Sequence, residues 1–312
     1  MFSPLILLQI LWTSLATSSY LVLFTVAFAL VLKVNRIFNF AQAATMTVAF
    51  YAAYTLVSRL GLPGWAGLLA ALAAAVVLAL PLELLGFRAL RRRRASSIFV
   101  FIFTLIISEL VAYIAMLVYG TWPATVFPSL FWPVRIVAGV AISEWDVPAL
   151  GATVVAVSAL FLFLRRTRIG QSMVAVADNP DLAEFYGIAK DRVYLVSMIV
   201  ASLIAGLAMF LYGTRAQVEP TTALNLLLFA IAATIIGGIG NLGGAILTAV
   251  VLSLCENSSI LFIPSAWQGF LLYAFLFVAI VFFPRGVRLP RRLRLSRSVP
   301  TPAFAPEEPR EA

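Results

Sequence analysis

The segment that decides the fold is Arg91–Tyr119, "RRRRASSIFVFIFTLIISELVAYIAMLVY". Four arginines precede a run from Ile98 to Tyr119 in which Glu109 is the one charged residue. About 20 consecutive apolar residues allow an α-helix to cross a bilayer. Positive charge next to such a run marks its cytoplasmic end. The segment therefore predicts a transmembrane helix whose basic end faces the cytoplasm.

The same pattern recurs along the chain, which is 62% hydrophobic and 11% charged. The other apolar runs are at about residues 5–32, 40–58, 62–82, 147–164, 193–213, 225–237, 245–263 and 267–283. This composition excludes a soluble globular protein, because each run is near the length of a membrane span. We predict an all-α polytopic membrane protein with about 8–9 transmembrane helices. Residues 1–284 form its membrane domain.

The positive charge predicts orientation and not a nucleic-acid partner. The net charge is +9, but the basic residues lie in short clusters between apolar runs. With the N-terminus outside and each run crossing once, only Arg59, Arg135 and Arg215 of the 22 Lys and Arg face outward. That asymmetry follows the positive-inside rule. We predict that the tail, residues 285–312, is cytoplasmic and disordered, since it is basic and then rich in proline.

Composition also limits the chemistry. The chain has one cysteine, Cys255, and no histidine, which excludes an internal disulfide and histidine-based metal or acid–base sites. We expect no metal, no cofactor, no catalytic residue and no enzymatic activity. The N-terminus lacks a basic region before its apolar run, so we predict a retained first span and not a cleaved signal peptide.

A glycine-rich stretch, "GGIGNLGG", separates the runs 225–237 and 245–263. The topology requires an even number of passes here, either two short crossings or a re-entrant pair of half-helices. A break would free backbone groups to meet a polar solute, whereas a tight turn or close helix packing would explain the glycines equally well. The candidate translocation residues from this stretch are Gly237, Gly238, Gly240, Asn241, Gly243 and Gly244.

A second candidate for the pathway is "NRIFNFAQAAT", residues 35–45. Asn39, Gln42 and Thr45 are three residues apart and share one helix face. Amides in a bilayer need polar partners, so these side chains either line a pathway or cap a helix at the interface. Residues 34–56 and 236–254 each combine an interrupted start with a small-residue helix, which indicates a weak internal repeat.

Three acidic residues lie in or beside apolar runs. Membrane carboxylates are candidates for functional sites by default. We favour a structural role for Glu256 and leave Glu109 open between function and structure. Glu83 lies beside a basic cluster, and we predict that it pairs with Arg88.

The longest charged segment is 165–192, and it contains the signals of a short helix. Asn179 suits an N-cap, Pro180 the first helical position, Asp181 the first turn and Gly187 the position after the helix. The predicted helix, Pro180–Tyr186, is about 10 Å long. Its apolar face consists of Leu182, Phe185 and Tyr186. This face either binds a partner or folds back on its own membrane domain.

Four segments resemble permeases of the branched-chain amino acid ABC importer family, which also includes urea permeases. They are "RRTRIGQSMVAVADNPDLAEFYGIAKDRV", "NRIFNFAQ", "IIGGIGNLGGAILTAVVLSLCEN" and "ELLGFRALRRRRASSIFVFIFTLIISEL". The resemblance extends from about residue 30 to 286, nearly the whole chain. Gln42, Ala43 and Ala44 replace the family's His-Gly-Glu, and Gln171-Ser172 and Val174-Ala175 depart from its loop pattern.

The resemblance implies a multi-pass subunit in the inner membrane of a prokaryote. Its partners would be a second permease subunit, two cytoplasmic ATPase subunits that bind ATP, and an extracytoplasmic solute-binding protein. The resemblance makes the short helix a coupling helix, formed by Asn179, Pro180, Asp181, Leu182, Glu184, Phe185, Tyr186 and Gly187. The alternatives are a urea or amide permease of the same family, and a stand-alone channel or secondary carrier.

Overall fold

The structure is a computed structural model that describes residues 4–127, 134–137, 139–262, 264 and 268–282. The strands in this part of the chain are β1 (Val134–Val137) and β2 (Val140–Ser143). The helices are α1 (Pro4–Asn35), α2 (Ala41–Tyr54), α3 (Gly64–Pro81), α4 (Arg88–Arg92), α5 (Ser97–Tyr119), α6 (Asp146–Arg166), α7 (Arg168–Asp178), α8 (Pro180–Phe185), α9 (Lys190–Gly213), α10 (Thr222–Gly237), α11 (Leu242–Ser259) and α12 (Gln268–Phe282). The predicted disordered tail, 285–312, lies outside the described residues.

The predicted all-α polytopic membrane fold is confirmed. Within the described residues, six helical segments are long and apolar enough to cross a membrane, and α10 is a shorter apolar helix. The six segments are Pro4–Asn35, Gly64–Arg92, Ser97–Tyr119, Asp146–Arg166, Lys190–Gly213 and Leu242–Ser259.

Helix α1 forms the centre of the bundle. Its residues from Ser18 to Leu32 are buried, and it packs against α6, α9, α10 and α11. A second group of helices, α2 with α3 and α5, joins this centre through α9. Small residues bring α3 and α9 together, since a Cβ on Gly206 would lie 3.1 Å from both the Ala71 oxygen and the Ala75 Cβ. Such close approach is a common source of helix association in membranes.

Two π-helical segments modify the bundle. Thr55–Arg59 extends α2, and Leu82–Phe87 joins α3 to α4 directly after Pro81. The prediction that Glu83 pairs with Arg88 is wrong, because the buried Glu83 carboxylate pairs with Arg91. The wide π turn rotates the following residues relative to a regular α-helix, which brings Arg91 under Glu83. Arg88 instead donates from Nε to Asp191 Oδ2 at 2.8 Å.

The bundle has two ends of different character. We call the end that carries α7, α8 and the basic clusters of α1 and α4 the basic end. The opposite end, the hairpin end, carries the antiparallel pair β1–β2, which the sequence analysis missed. Gln9 near the start of α1 accepts from the Ala141 nitrogen at 2.8 Å and donates to its oxygen at 3.2 Å. The hairpin is thus attached to the central helix.

Helices α10 and α11 are antiparallel and meet in a turn at 238–241. Ile235 and Ile239 beside this turn share a groove with Phe38 and Phe40 at the basic end. The far end of α11 lies level with the start of α1, because Ser253 donates to the Ser14 oxygen at 3.1 Å. With 16 and 18 residues, the two helices are about 24 and 27 Å long. The geometry favours two short crossings over half-helices that meet within the membrane.

Candidate functional sites

The predicted coupling helix is present as α8, and both of its ends are closed by the expected residues. Asn179 Oδ1 accepts hydrogen bonds from the nitrogens of Asp181 and Leu182, each at 3.1 Å. Gly187 has a φ of +82°, a conformation that glycine adopts without strain. Its nitrogen donates to the Glu184 oxygen at 2.8 Å. The local sequence therefore defines a rigid helix of six residues.

The apolar face of α8 points away from its own membrane domain. The exposed fractions are 52% for Leu182, 85% for Phe185 and 76% for Tyr186. The Phe185 and Tyr186 rings contact each other edge to face, with their centroids 5.9 Å apart. Ala183 is the residue that α8 buries against the rest of the chain. Large apolar side chains grouped on a surface are typical of an interaction site.

Two basic residues attach α8 and α7 to the bundle. Lys190 Nζ, at the start of α9, lies 2.7 Å from Glu184 Oε2 and 3.3 Å from Asp181 Oδ1. Arg36, just after α1, donates from Nη2 to the oxygens of Ala177 and Asp178 at 3.0 Å each. The two Arg36 hydrogen bonds satisfy backbone carbonyls at the end of α7, which lack partners within the helix. The coupling candidate is therefore held by α9 directly and by the end of α1 through α7.

The pathway candidates in and just before α2 are buried inside the protein. Asn39 Nδ2 lies 3.7 Å from Met198 Sδ on α9, and Thr45 donates to the Gln42 oxygen at 2.7 Å. Asn39 Oδ1 and Gln42 Oε1 have no hydrogen-bond partner among the described residues. Helix α2 begins after Phe40 without a side-chain cap. The geometry thus gives no support to the helix-cap alternative, and leaves two buried acceptors in need of a polar partner.

The glycine-rich stretch forms a tight turn between packed helices. A Cβ on Gly244 would lie 2.1 Å from the Gly237 oxygen, and one on Gly237 would lie 2.5 Å from the Ala245 nitrogen. Gly238 and Gly240, with φ of +96° and +89°, form the turn. Asn241 Oδ1 caps α11 by accepting from the Gly244 nitrogen at 3.1 Å, while Gly243 is exposed. This geometry favours the turn and packing alternative. Helix α10 also contacts α2, which carries the pathway candidates Gln42 and Thr45.

The two membrane glutamates occupy different surroundings. Glu109 lies on an exposed face of α5, and Glu256 lines a cavity at the hairpin end. Neither carboxylate has an ion pair with a described residue. This hairpin-end cavity has a volume of about 420 Å³. Its lining residues are Leu21, Tyr212, Gln217, Glu219, Thr222, Asn225, Leu226, Phe229, Glu256 and Tyr273.

Sequence reasoning did not predict the hairpin-end cavity, because its lining residues come from five helices and the loop after α9. The available signal was the polar group "CENSS" at the end of an apolar run.

Comparison with known proteins identifies the family to which this helical bundle belongs. Residues 10–280 match a family model described as branched-chain amino acid transport system, permease component. The chain belongs to this permease family. The match covers α2 to α11 in full and most of α1 and α12, so the family assignment applies to the bundle and to the loop that carries α8.

Relatives of the permease share low sequence identity along most of their length. The chain is 26% identical to the probable branched-chain amino acid transport permease protein LivH of Methanocaldococcus jannaschii, over 85% of each chain. It is 23% identical to the high-affinity branched-chain amino acid transport system permease protein LivH of Escherichia coli K12, over 90% of this chain and 94% of that one. A partial match, 30% identical over 39% of this chain and 34% of the other, is the xylose transport system permease protein XylH of Haemophilus influenzae.

Proposed function

We propose that this permease subunit forms the translocation pathway of an ABC importer for branched-chain amino acids. ATPase subunits in the cytoplasm would bind α8 and drive the change of access. A second permease subunit and an extracytoplasmic binding protein would complete the importer, in the inner membrane of a prokaryote. The basic end would face the cytoplasm, following the positive-inside rule.

The observation that carries this proposal is the exposed aromatic face of α8. A six-residue helix is too short to be stable alone, so its caps and its ion pair with Lys190 fix it in place, while Arg36 holds the preceding helix α7. Such a helix can transmit a push because it is attached to α9 directly and to α1 through α7. Phe185 is the most exposed of the three apolar residues, and Tyr186 beside it is of a residue type enriched among those that dominate protein–protein binding.

The solute is inferred from the relatives that match along most of their length, since both carry branched-chain amino acid transport in their names. The partial match to a xylose permease indicates that related bundles serve other polar solutes. Urea or an amide is the second candidate within the family. A radiolabelled uptake assay with leucine, urea and xylose would separate these cargoes.

The coupling role is tested with Phe185→Ala. We expect leucine uptake to fall by at least about tenfold in cells that express the chain with its partner subunits, because one binding anchor is removed. The amount of chain in the membrane should not change, since this side chain is 85% exposed. Trp122→Ala is the matched control, because Trp122 is 84% exposed at the other end and should leave uptake unchanged.

Two results would contradict the proposal. Normal uptake by Phe185→Ala would remove the coupling role from α8. Leucine uptake by the purified chain alone in liposomes, without any ATPase subunit, would instead identify a stand-alone channel or secondary carrier.

A further inference from the structure

The hairpin-end cavity lies between five helices, α1, α9, α10, α11 and α12. Its volume of about 420 Å³ falls within the range of about 300–1,000 Å³ that is usual for small-molecule sites. Leu21, Tyr212 and Glu256 contribute from α1, α9 and α11, while Tyr273 contributes from α12. Gln217 and Glu219 line it from the loop before α10. The cavity therefore lies at the hairpin end of the bundle.

Two carboxyl groups, Glu219 and Glu256, line this cavity, and Glu256 is the one that belongs to a membrane helix. Its carboxylate has no hydrogen bond or ion pair with any described residue, although it belongs to an apolar helix. Carboxylates in a membrane are costly unless a partner neutralises them. Arg215, the basic residue in the loop after α9, is already bound to the buried Asp146. The partner that fits Glu256 is thus a cationic group supplied from outside the described chain.

Part of the cavity lining is apolar and aromatic. Leu226 and Phe229 from α10 contribute to it, together with Leu21. Tyr212 is fixed by an edge-to-face contact with Tyr20, with ring centroids 5.1 Å apart. Aliphatic side chains fit such a surface, and a cation near an aromatic ring gains further attraction.

Two amides supply hydrogen-bond donors to the same cavity. Asn225 and Gln217 both line it, and neither side chain has a hydrogen bond with a described residue. Side-chain amides can donate two hydrogen bonds each, which suits a carboxylate. Thr222 also lines the cavity, and its Oγ1 accepts a hydrogen bond from the Glu219 nitrogen at 2.9 Å.

We propose that the hairpin-end cavity binds an α-amino acid with an apolar side chain. Glu256 receives the ammonium group, Asn225 and Gln217 bind the carboxylate, and Leu226 and Phe229 contact the side chain. This inference rests on the proposed function and assigns its solute a first binding site within the permease. An uncharged solute such as urea or a sugar would leave Glu256 without a partner.

The first test measures leucine uptake by the assembled importer with Glu256→Gln. We expect at least about a tenfold lower rate below saturation, because a hydrogen bond between charged groups is lost. Glu256→Asp keeps the charge and should restore part of the rate. Glu109→Gln is the matched control, since this glutamate lies in another span outside the cavity. It should stay within about twofold of the unmodified chain.

A second test detects occupancy without transport. In a Cys255→Ala background, Thr222→Cys places the one thiol of the chain in the cavity without removing a side chain proposed to bind the solute. We expect leucine to slow its alkylation by a membrane-impermeant maleimide, whereas 4-methylpentanoate, which lacks the ammonium group, and urea should not. Trp122→Cys, outside the cavity, should react at the same rate with or without leucine.

The outcomes separate the two proposals. If the unmodified importer takes up no leucine, the proposed function is wrong. If it takes up leucine and Glu256→Gln does so equally well, only the cavity assignment is wrong. If Glu256→Gln fails to assemble, the alkylation test decides, and equal protection by leucine and 4-methylpentanoate, or none by leucine, overturns the inference.

Discussion

At the scale of single residues, Asp146 is the most constrained charge at the hairpin end. It is 2% exposed and lies at the start of α6. Its Oδ2 accepts from Trp12 Nε1 at 3.0 Å and from the Ser143 nitrogen at 3.3 Å, while Oδ1 pairs with Arg215. One carboxylate therefore joins α1, β2, α6 and the loop after α9. Removing one member of a buried pair is costly because the other charge is left without a partner.

We expect Asp146→Asn to lower the free energy of unfolding by about 2 kcal/mol, since Arg215 is partly exposed and recovers some solvation. The measurement is the Tm of the detergent-solubilised chain. Arg135→Gln is the control, because its ion pair with Glu144 is exposed and should contribute less than about 1 kcal/mol. An Asp146→Asn chain as stable as the control would contradict this role for the pair.

Single residues also show where prediction from sequence succeeds. The ends of α8 were predicted to within one residue, because the Asn179 cap and the Gly187 turn depend on atoms only a few positions away. The partner of Glu83 was not predicted, since the π turn that selects Arg91 has no sequence pattern that we recognised. Whether Leu182 and Phe185 face outward could not be read from spacing alone, because it depends on what surrounds α8.

At the scale of helices and strands, the apolar runs predicted the spans well because length and hydrophobicity are properties of each segment. The β1–β2 hairpin was missed for the opposite reason. Its strands have four residues each, and Gln9, which holds the hairpin to α1, is 132 residues from Ala141 in sequence. The hairpin-end cavity likewise depends on five helices at once. Contacts between distant segments are what the sequence alone did not reveal.

The turn between α10 and α11 provides a test of close packing. We expect Gly244→Ala to destabilise the chain by about 1–3 kcal/mol, because the new Cβ would meet the Gly237 oxygen at 2.1 Å. Gly243→Ala is the matched control. A Cβ on Gly243 would lie 3.7 Å from its nearest neighbour, Asn241 Oδ1, and alanine is favoured in a helix. Thermal unfolding of both variants in detergent is the measurement. Equal Tm values would show that the two helices can separate at no cost.

At the scale of the whole molecule, the positions of the charges agree with the predicted topology. Arg59, Arg135 and Arg215, the three basic residues predicted to face outward, lie at the hairpin end, where Arg59 contacts the Tyr119 ring at 4.9 Å. The clusters around Arg36, Arg91 and Arg168 lie at the other end. Which end faces the cytoplasm stays a prediction from the positive-inside rule.

Labelling of single cysteines tests this orientation. In a Cys255→Ala background, we expect Trp122→Cys to react with an impermeant maleimide in intact spheroplasts, because residue 122 is exposed at the hairpin end. Gln171→Cys, exposed on α7 at the basic end, should react only after the membrane is permeabilised. The reverse pattern would show that the chain is inserted the other way.

Helix α1 joins the two ends of the protein without interruption. Its 32 residues extend over about 48 Å. Arg36 at one end holds α7, and Gln9 near the other end holds β2. An α-helix is stiff along its axis, so α1 can act as a rod that carries mechanical work across the membrane. A displacement of α7 would therefore be transmitted along α1 to the hairpin at the other end of the protein.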